Sequence, residues 1–214
     1  METELKKIVC SVCGTESEHT VITKIEDNSI QEMDLRPTGE HRDTMEYWVM
    51  ECPECKYCND TLETPLNADR EYLGSREYIT LGGINTENVL VSRFVRKALV
   101  CMKNKDYEEA VKSYIYSAWI SDDERNIEGS VDCRNKAIRI MEKHSLLNSE
   151  DMMLLRADLL RRSGQFEKVI KEYGMKQFIN PFIMIASQYE VRLSQERDLS
   201  AHSMADIPSM KFET

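Results

Sequence analysis

From Thr86 onward apolar residues recur at helical spacing. Val91, Val95, Ala98 and Met102 stripe a first helix over 88–102. Asp106 opens a second, with Glu109 three residues later in capping-box spacing. Its apolar face is Tyr107, Ala110, Val111, Tyr114, Ala118 and Trp119. Ser121 and Glu124 repeat that spacing, which predicts the start of a third helix over about 124–144, striped by Ile127, Val131, Ile138 and Met141. Ser149, followed by Glu150 and Asp151, starts a fourth that ends near Gly164. A fifth covers Phe166 to Tyr173, with Gly174 breaking it. Asn180-Pro181 is an N-cap followed by proline at the first helical position, and opens a sixth. From Asp198 the chain is polar, which predicts a frayed end.

The first 66 residues follow a different rule. Val21 to Ile25 is β-branched and alternating, and Thr44 to Met50 reads as a stronger strand leading into Cys52. Pro37-Thr38-Gly39 marks a turn between them. Residues 67–85, broken by Gly74, Gly82 and Gly83, read as a connector. The expected architecture is α+β and mostly α. It consists of a small β-rich zinc-ribbon-like module over 1–66, the connector 67–85, a helical domain of about six helices over 86–197, and a polar tail over 198–214.

The helical part repeats. Residues 103–114 (KNKDYEEAVKSY) align with residues 162–173 (RSGQFEKVIKEY): a helix ends, a tight turn follows and an aromatic residue leads the next helix. Such a unit packs as a helical hairpin and stacks on its neighbours. The pattern is similar to the tetratricopeptide repeat. Ala98, Tyr107, Ala110 and Tyr114 fall on its small and aromatic positions, as do Ala157, Gly164, Phe166 and Tyr173. The interval of 59 residues exceeds the ~34 of a regular array, so an extra helix intervenes.

Too little apolar material lies in residues 1–66 to hold a core unaided, and folds of that size need a staple. Cys10-Ser11-Val12-Cys13 and Cys52-Pro53-Glu54-Cys55 supply one. Two Cys-x-x-Cys pairs can close a tetrahedral thiolate shell around one Zn²⁺, leaving no open position for a substrate. Gly14 suits the left-handed turn such knuckles use, whereas Lys56 stands at the matching place of the second. Cys58 extends the second pair, and three readings of it stand open: a spare thiol, an alternate ligand, or part of an iron–sulfur site. An iron–sulfur cluster on the same cysteines is the minority reading. Redox cycling of a Cys-x-x-Cys usually has a thioredoxin-like βαβ setting, which the sequence lacks. Cys101 and Cys133 lie in helical patterns and read as core thiols. His19, His41, His144 and His202 show no paired spacing and read as exposed. Asp34-Leu35-Arg36-Pro37 reads as a local salt bridge and turn.

Charge narrows the functional classes. Residues 1–66 carry 6 Lys/Arg against 15 Asp/Glu, while residues 67–214 carry 22 against 23. Neutralising a phosphate backbone takes Lys and Arg, so the acidic head has the wrong sign for nucleic acid. No apolar run approaches the ~18 residues of a membrane helix. The short charged segment before Cys10 does not fit a signal peptide. Seven cysteines without such a signal fit a reducing cytoplasm.

Taken together, Cys-x-x-Cys-Gly, Asp-Leu-Arg-Pro, the run from Tyr47 to Tyr57 (YWVMECPECKY) and the run from Leu159 to Lys171 (LLRRSGQFEKVIK) resemble an uncharacterised bacterial family. Its members pair a zinc-ribbon-like head with tetratricopeptide-like helices. The family more often has glycine where this chain has Lys56, and Cys58 looks like an addition. The resemblance implies no catalytic residues. The expectation is a non-enzymatic cytoplasmic interaction or scaffold protein that binds an unidentified protein or peptide. A thiol or metal sensor is the alternative, and a nucleic-acid-binding ribbon a weaker third.

Overall fold

The structure is a computed structural model and describes residues 1–26 and 30–208. It is mostly helical, with small antiparallel sheets near the N-terminus, the α+β class expected. The chain forms two compact units. One comprises Met1–Ser29 and Gly39–Ala137, the other Ile30–Thr38 and Ile138–Thr214. These limits cut the chain at other places than the sequence segments 1–66, 67–85, 86–197 and 198–214.

In the first unit, β1 (Glu2–Val9) pairs antiparallel with β2 (Glu16–Lys24). The strand prediction at Val21–Ile25 captured the end of β2. β1 was missed, because Glu2, Glu4, Lys6 and Lys7 obscure its alternation. The strand predicted over Thr44–Met50 is instead a 3-10 helix, Gly39–Tyr47. Thr44 and Met45 are both buried, which a one-sided strand does not allow. The Thr44 hydroxyl donates to the His41 carbonyl at 2.7 Å and accepts from Trp48 Nε1 at 2.9 Å, closing the turns. Only β3 (Met50–Glu51) remains extended there, paired with β4 (Cys58–Asn59).

The connector holds two 3-10 turns, Arg70–Gly74 and Leu81–Gly83, around the short helix α1 (Arg76–Ile79). Then α2 (Val89–Asn104) packs against α3 (Tyr107–Asp123). Val91, Phe94, Val95 and Ala98 are buried on the first, and Ala110, Val111, Tyr114 and Ala118 on the second. Asn88 caps α2, as the sequence implied for the start of that helix. Asp106 caps α3 through the Glu109 N–H at 3.3 Å. The Glu109 carboxylate does not return to the cap. It is held by Lys112 at 2.6 Å and by buried Lys97 at 3.3 Å.

The predicted helix start at Ser121–Glu124 is corrected. Ser121 is buried inside α3, and its hydroxyl bonds the Ser117 carbonyl at 2.9 Å. The chain turns at Arg125, and α4 runs Ile127–Lys143 with Asn126 accepting from the Gly129 N–H at 3.0 Å. Ile127, expected in the stripe, is 72% exposed. The boundary between the units falls inside α4.

The second unit holds α5 (Glu150–Arg162), α6 (Phe166–Tyr173) and α7 (Pro181–Gln195), close to the predicted bounds and capped by Ser149 and Asn180 where expected. α7 packs on both α5 and α6. Two non-helical pieces complete it. Met33 N–H donates to the His202 carbonyl and Met204 N–H to that of Gln31, each at 2.9 Å, and Glu32 bridges Ser203. The Asp34 carboxylate reaches Arg162 at 2.5 Å, both groups being buried, a long-range ion pair beside the local turn expected of Asp34-Leu35-Arg36-Pro37. The end of the chain is therefore not frayed through residue 208. Arg161, fully buried, donates to the carbonyls of Asp198 and Ser200 at 2.8 and 2.9 Å, and Ile207 is buried. Residues 209–214 of the predicted tail lie outside the described residues.

The two aligned segments share a helix ending, one that Arg125 and Arg197 also adopt outside the repeat. Lys105 and Gly164, aligned by sequence, adopt φ 61° and 75°. In one copy Asp106 N–H bonds Cys101 O and Lys105 N–H bonds Met102 O. In the other, Gln165 N–H bonds Leu160 O and Gly164 N–H bonds Arg161 O, the same two bonds 59 residues on. This is the Schellman ending of a helix, in which a left-handed residue lets two amides return to the last turn.

Candidate metal centre

The turn of the β1–β2 hairpin is the first Cys-x-x-Cys. Cys10 N–H donates to Thr15 O at 2.9 Å, and Gly14 N–H to Cys10 O at 2.8 Å. The β3–β4 turn repeats this pattern. Cys52 N–H donates to Tyr57 O at 2.8 Å, and Lys56 N–H to Cys52 O at 3.1 Å. Gly14 has φ 76° and Lys56 φ 61°, so lysine accepts the left-handed conformation that glycine takes without cost. The two knuckles share one backbone design.

Side chains lock them face to face. Ser11 donates its N–H to Leu62 O and its hydroxyl to Thr64 O, both at 2.8 Å. The Tyr57 hydroxyl also reaches Thr64 O, at 2.7 Å, so residues 62–64 tie one knuckle to the other. The Tyr78 hydroxyl on α1 donates to Lys56 O at 2.7 Å and fixes the strained residue.

The four sulfurs of Cys10, Cys13, Cys52 and Cys55 all lie within 4.8 Å of one another. Two separations cross between knuckles at close range: Cys13 to Cys52 at 3.5 Å and Cys10 to Cys55 at 3.7 Å. A tetrahedral ion with metal–sulfur bonds of about 2.3 Å wants sulfurs about 3.8 Å apart. The donor set therefore fits one metal ion, held by four residues of which Cys10 and Cys52 are buried and Cys13 and Cys55 half-buried. Among the described residues no histidine joins the set.

The thiols differ in acidity. Burial pushes Cys55 and Cys10 up. Burial also opposes ionisation of Cys13, but its hydrogen bonds with Thr15, Cys52 and Cys55 prevail and bring it down to about 6. Beside Cys52, the Glu51 carboxylate is ringed by cations: Arg96 at 3.2 Å, Lys56 at 3.3 Å and Arg93 at 3.8 Å. These charges offset part of the repulsion a thiolate cluster creates.

Cys58 stands outside the ligand set. It is fully buried on β4, with its sulfur 3.5 Å from Lys56 O and 3.8 Å from Glu51 Oε2, and burial raises its pKa well above the usual thiol range. Cys101 and Cys133 are buried core thiols, as expected. His19, expected exposed, is half-buried. Its Nε2 lies 2.8 Å from Ser17 Oγ, and burial, aided by Arg93, lowers its pKa. His202 sits between Asp198 at 3.0 Å and the Tyr189 hydroxyl at 3.2 Å. Sequence reasoning did not find Ser11, Thr15, Tyr57 and Tyr78 as supports of the centre. Their signal was available only in part, as hydroxyl residues beside the cysteines, and Tyr78 is too distant in sequence to give one.

No family model matches the chain, and no curated protein or solved structure does either, so the resemblance to the uncharacterised family rests on the residues that carry it.

Proposed function

We propose that this chain is a non-enzymatic zinc-stapled interaction protein of the cytoplasm. Four thiolates hold a structural Zn²⁺, and tetratricopeptide-like helical hairpins offer the surface for a partner protein. The observation that carries the reading is the closed sulfur set, four donors within 4.8 Å on two matched knuckles. Sulfur separations of this size suit a single tetrahedral ion, which supports zinc over the iron–sulfur reading. A complete thiolate shell gives a metal no vacant position for a substrate, so its role is to fold the head. The alignment of residues 103–114 with 162–173, each crossing a helix–turn–helix junction, supports the tetratricopeptide-like part. Exposed apolar side chains at the α6–α7 turn, Met175 at 90% and Ile179 at 93%, are free for contact.

Two measurements test this. Elemental analysis of protein purified without added metal should find zinc, and an iron-containing brown protein would overturn the assignment. Proteins captured from the native cell should include one that binds the purified chain directly and loses affinity when Met175 and Ile179 are changed to Glu. Binding that ignores those changes would remove the helical surface from the proposal.

A second reading, a thiol-based sensor, draws on the short cross-knuckle sulfur distances. Hydrogen peroxide, with two protons from solvent, would take one electron from each of the Cys13 and Cys52 thiolates, forming their disulfide and two waters and releasing the ion with loss of two ligands. Zinc content unchanged after mild peroxide would end that reading.

A further inference from the structure

Among the described residues, the outer edge of β1 is an unpaired row of backbone amides and carbonyls. The sheet they form contains β1 and β2 alone, and the segment 39–47 packs beside β2. Seven of the eight β1 residues are exposed, including Leu5 at 62% and Val9 at 50%. Such an edge is a template for another strand, and natural proteins usually block it with charge, lysine above all. Here the charges do not simply block. Glu4 and Lys6 lie on one face of the strand, their charged groups 3.8 Å apart, so the edge carries both signs in sequence.

That order is self-complementary. Two antiparallel copies related by a two-fold axis through the sheet must pair residues of the same face. With Leu5 on the axis, Glu4 of each copy faces Lys6 of the other, Thr3 faces Lys7 and Glu2 faces Ile8. No like charges are opposed. A shift of one position in either direction along the axis fails. It places Lys6 against Lys6, or Glu4 against Glu4, and like charges directly opposite destabilise a strand pair. A centre on Thr3 opposes Glu2 to Glu4 and one on Lys7 opposes Lys7 to itself, while a centre on Ile8 pairs only residues 7–9. The Leu5-centred register is therefore favoured as the longest without like charges opposed, and it covers the exposed Leu5 with its own symmetry mate. We propose that β1 is a homodimerisation edge: two copies of this chain join their hairpins into a four-stranded antiparallel sheet, in the order β2–β1–β1–β2.

Sedimentation velocity of the metal-loaded full chain over a wide concentration range tests this, with four proteins compared. The wild type should show a reversible monomer–dimer equilibrium that weakens as salt is raised. Glu4→Lys and Lys6→Glu should each weaken association about tenfold, because both symmetric pairs change from attraction to repulsion. The double variant carrying both changes restores opposite signs across the seam and should recover wild-type association. Metal content and far-UV circular dichroism confirm that each variant folds. A wild type that stays monomeric at every concentration overturns the proposal. So does a dimer indifferent to the single reversals, or a double variant no better than the singles.

Discussion

Gly14 and Lys56 occupy the same position in two matched cysteine turns, with φ 76° and 61°, yet only one of them is a glycine. A left-handed conformation costs an L-residue about 1–2 kcal/mol. Glycine avoids that, but its freer unfolded chain takes back about 0.4–1 kcal/mol. Lys56→Gly should therefore stabilise the metal-loaded head by about 0.5 kcal/mol, less whatever the exposed Glu51 contact contributes. Gly14→Ala should lower stability by about 1 kcal/mol, and for backbone reasons alone, since a Cβ there meets nothing within 4 Å. Thermal unfolding of the two variants, at fixed metal, reads both signs.

The same reasoning extends to the helix ends. Lys105, Arg125, Ser145 and Arg197 are non-glycine residues at φ 57–61°, each at the end of a helix. Glycine at these positions should raise the denaturant midpoint, by about 0.5 kcal/mol per site from the same balance of terms. Combined, distant sites should add. A loss of stability at Lys105→Gly would show that its side chain contributes more than its backbone costs.

Removing a ligand separates the ligand set from its neighbour. Cys10→Ser and Cys52→Ser should abolish stoichiometric metal and with it the signal of the β1–β2 hairpin, which is marginal without a staple. Cys58→Ser should retain the metal, because that sulfur points away from the set toward Lys56 O and Glu51. Elemental analysis on the three variants checks this. Metal loss in Cys58→Ser would place the fifth cysteine among the ligands.

Asp34 and Arg162 form a buried ion pair across 128 residues of sequence. Deleting one partner removes a buried charge-assisted hydrogen bond from the other, so Asp34→Ala or Arg162→Ala should each cost about 1.5–3 kcal/mol. The double replacement should cost less than the sum of the two, a coupling that a double-mutant cycle in urea measures.

Glu190 supplies a pH dependence. Burial, and next the nearby Asp158 carboxylate, raise its pKa to about 8 against the pull of Arg161. Between the ordinary carboxylate range and about 8, the folded state thus holds a proton that the unfolded chain has released. Stability from this group is complete at the acidic end and falls as pH rises through that window, by at most about 1.4 kcal/mol per pH unit. Glu190→Gln should flatten the slope between pH 5 and 8, measured by urea unfolding against wild type. An unchanged slope would reject the assignment.

Much of the helical half was legible because its signals are local. Ser149, Asn180 and Asn88 each cap within their own first turn, and the apolar spacing of α2, α5, α6 and α7 lies in one short window. The ligand set was legible for the same reason, since Cys-x-x-Cys is a turn. What escaped had a competing local hydrogen bond or a distant partner. Thr44–Met50 has strand composition, but the Thr44 hydroxyl and the Trp48 ring organise it as a 3-10 turn. Ser121 and Glu124 match a capping box in spacing, yet the serines at 117 and 121 bond back within α3 and let it run on. Residues 198–207 look polar, and only the buried Arg161 reveals why they are ordered.

The interlacing of residues 30–38 with α5 and the segment 198–207 also sets a timetable for synthesis. Asp34 leaves the ribosome 128 residues before Arg162, a wait of roughly 6 to 25 s at ordinary elongation rates. Met33 waits longer for His202. Through that interval Met33 and Asp34, buried in the finished unit, lack the partners that bury them, so residues 30–38 emerge early and are covered last. Slow codons placed after α7 would lengthen that exposure, whereas slow codons before Glu32 would not.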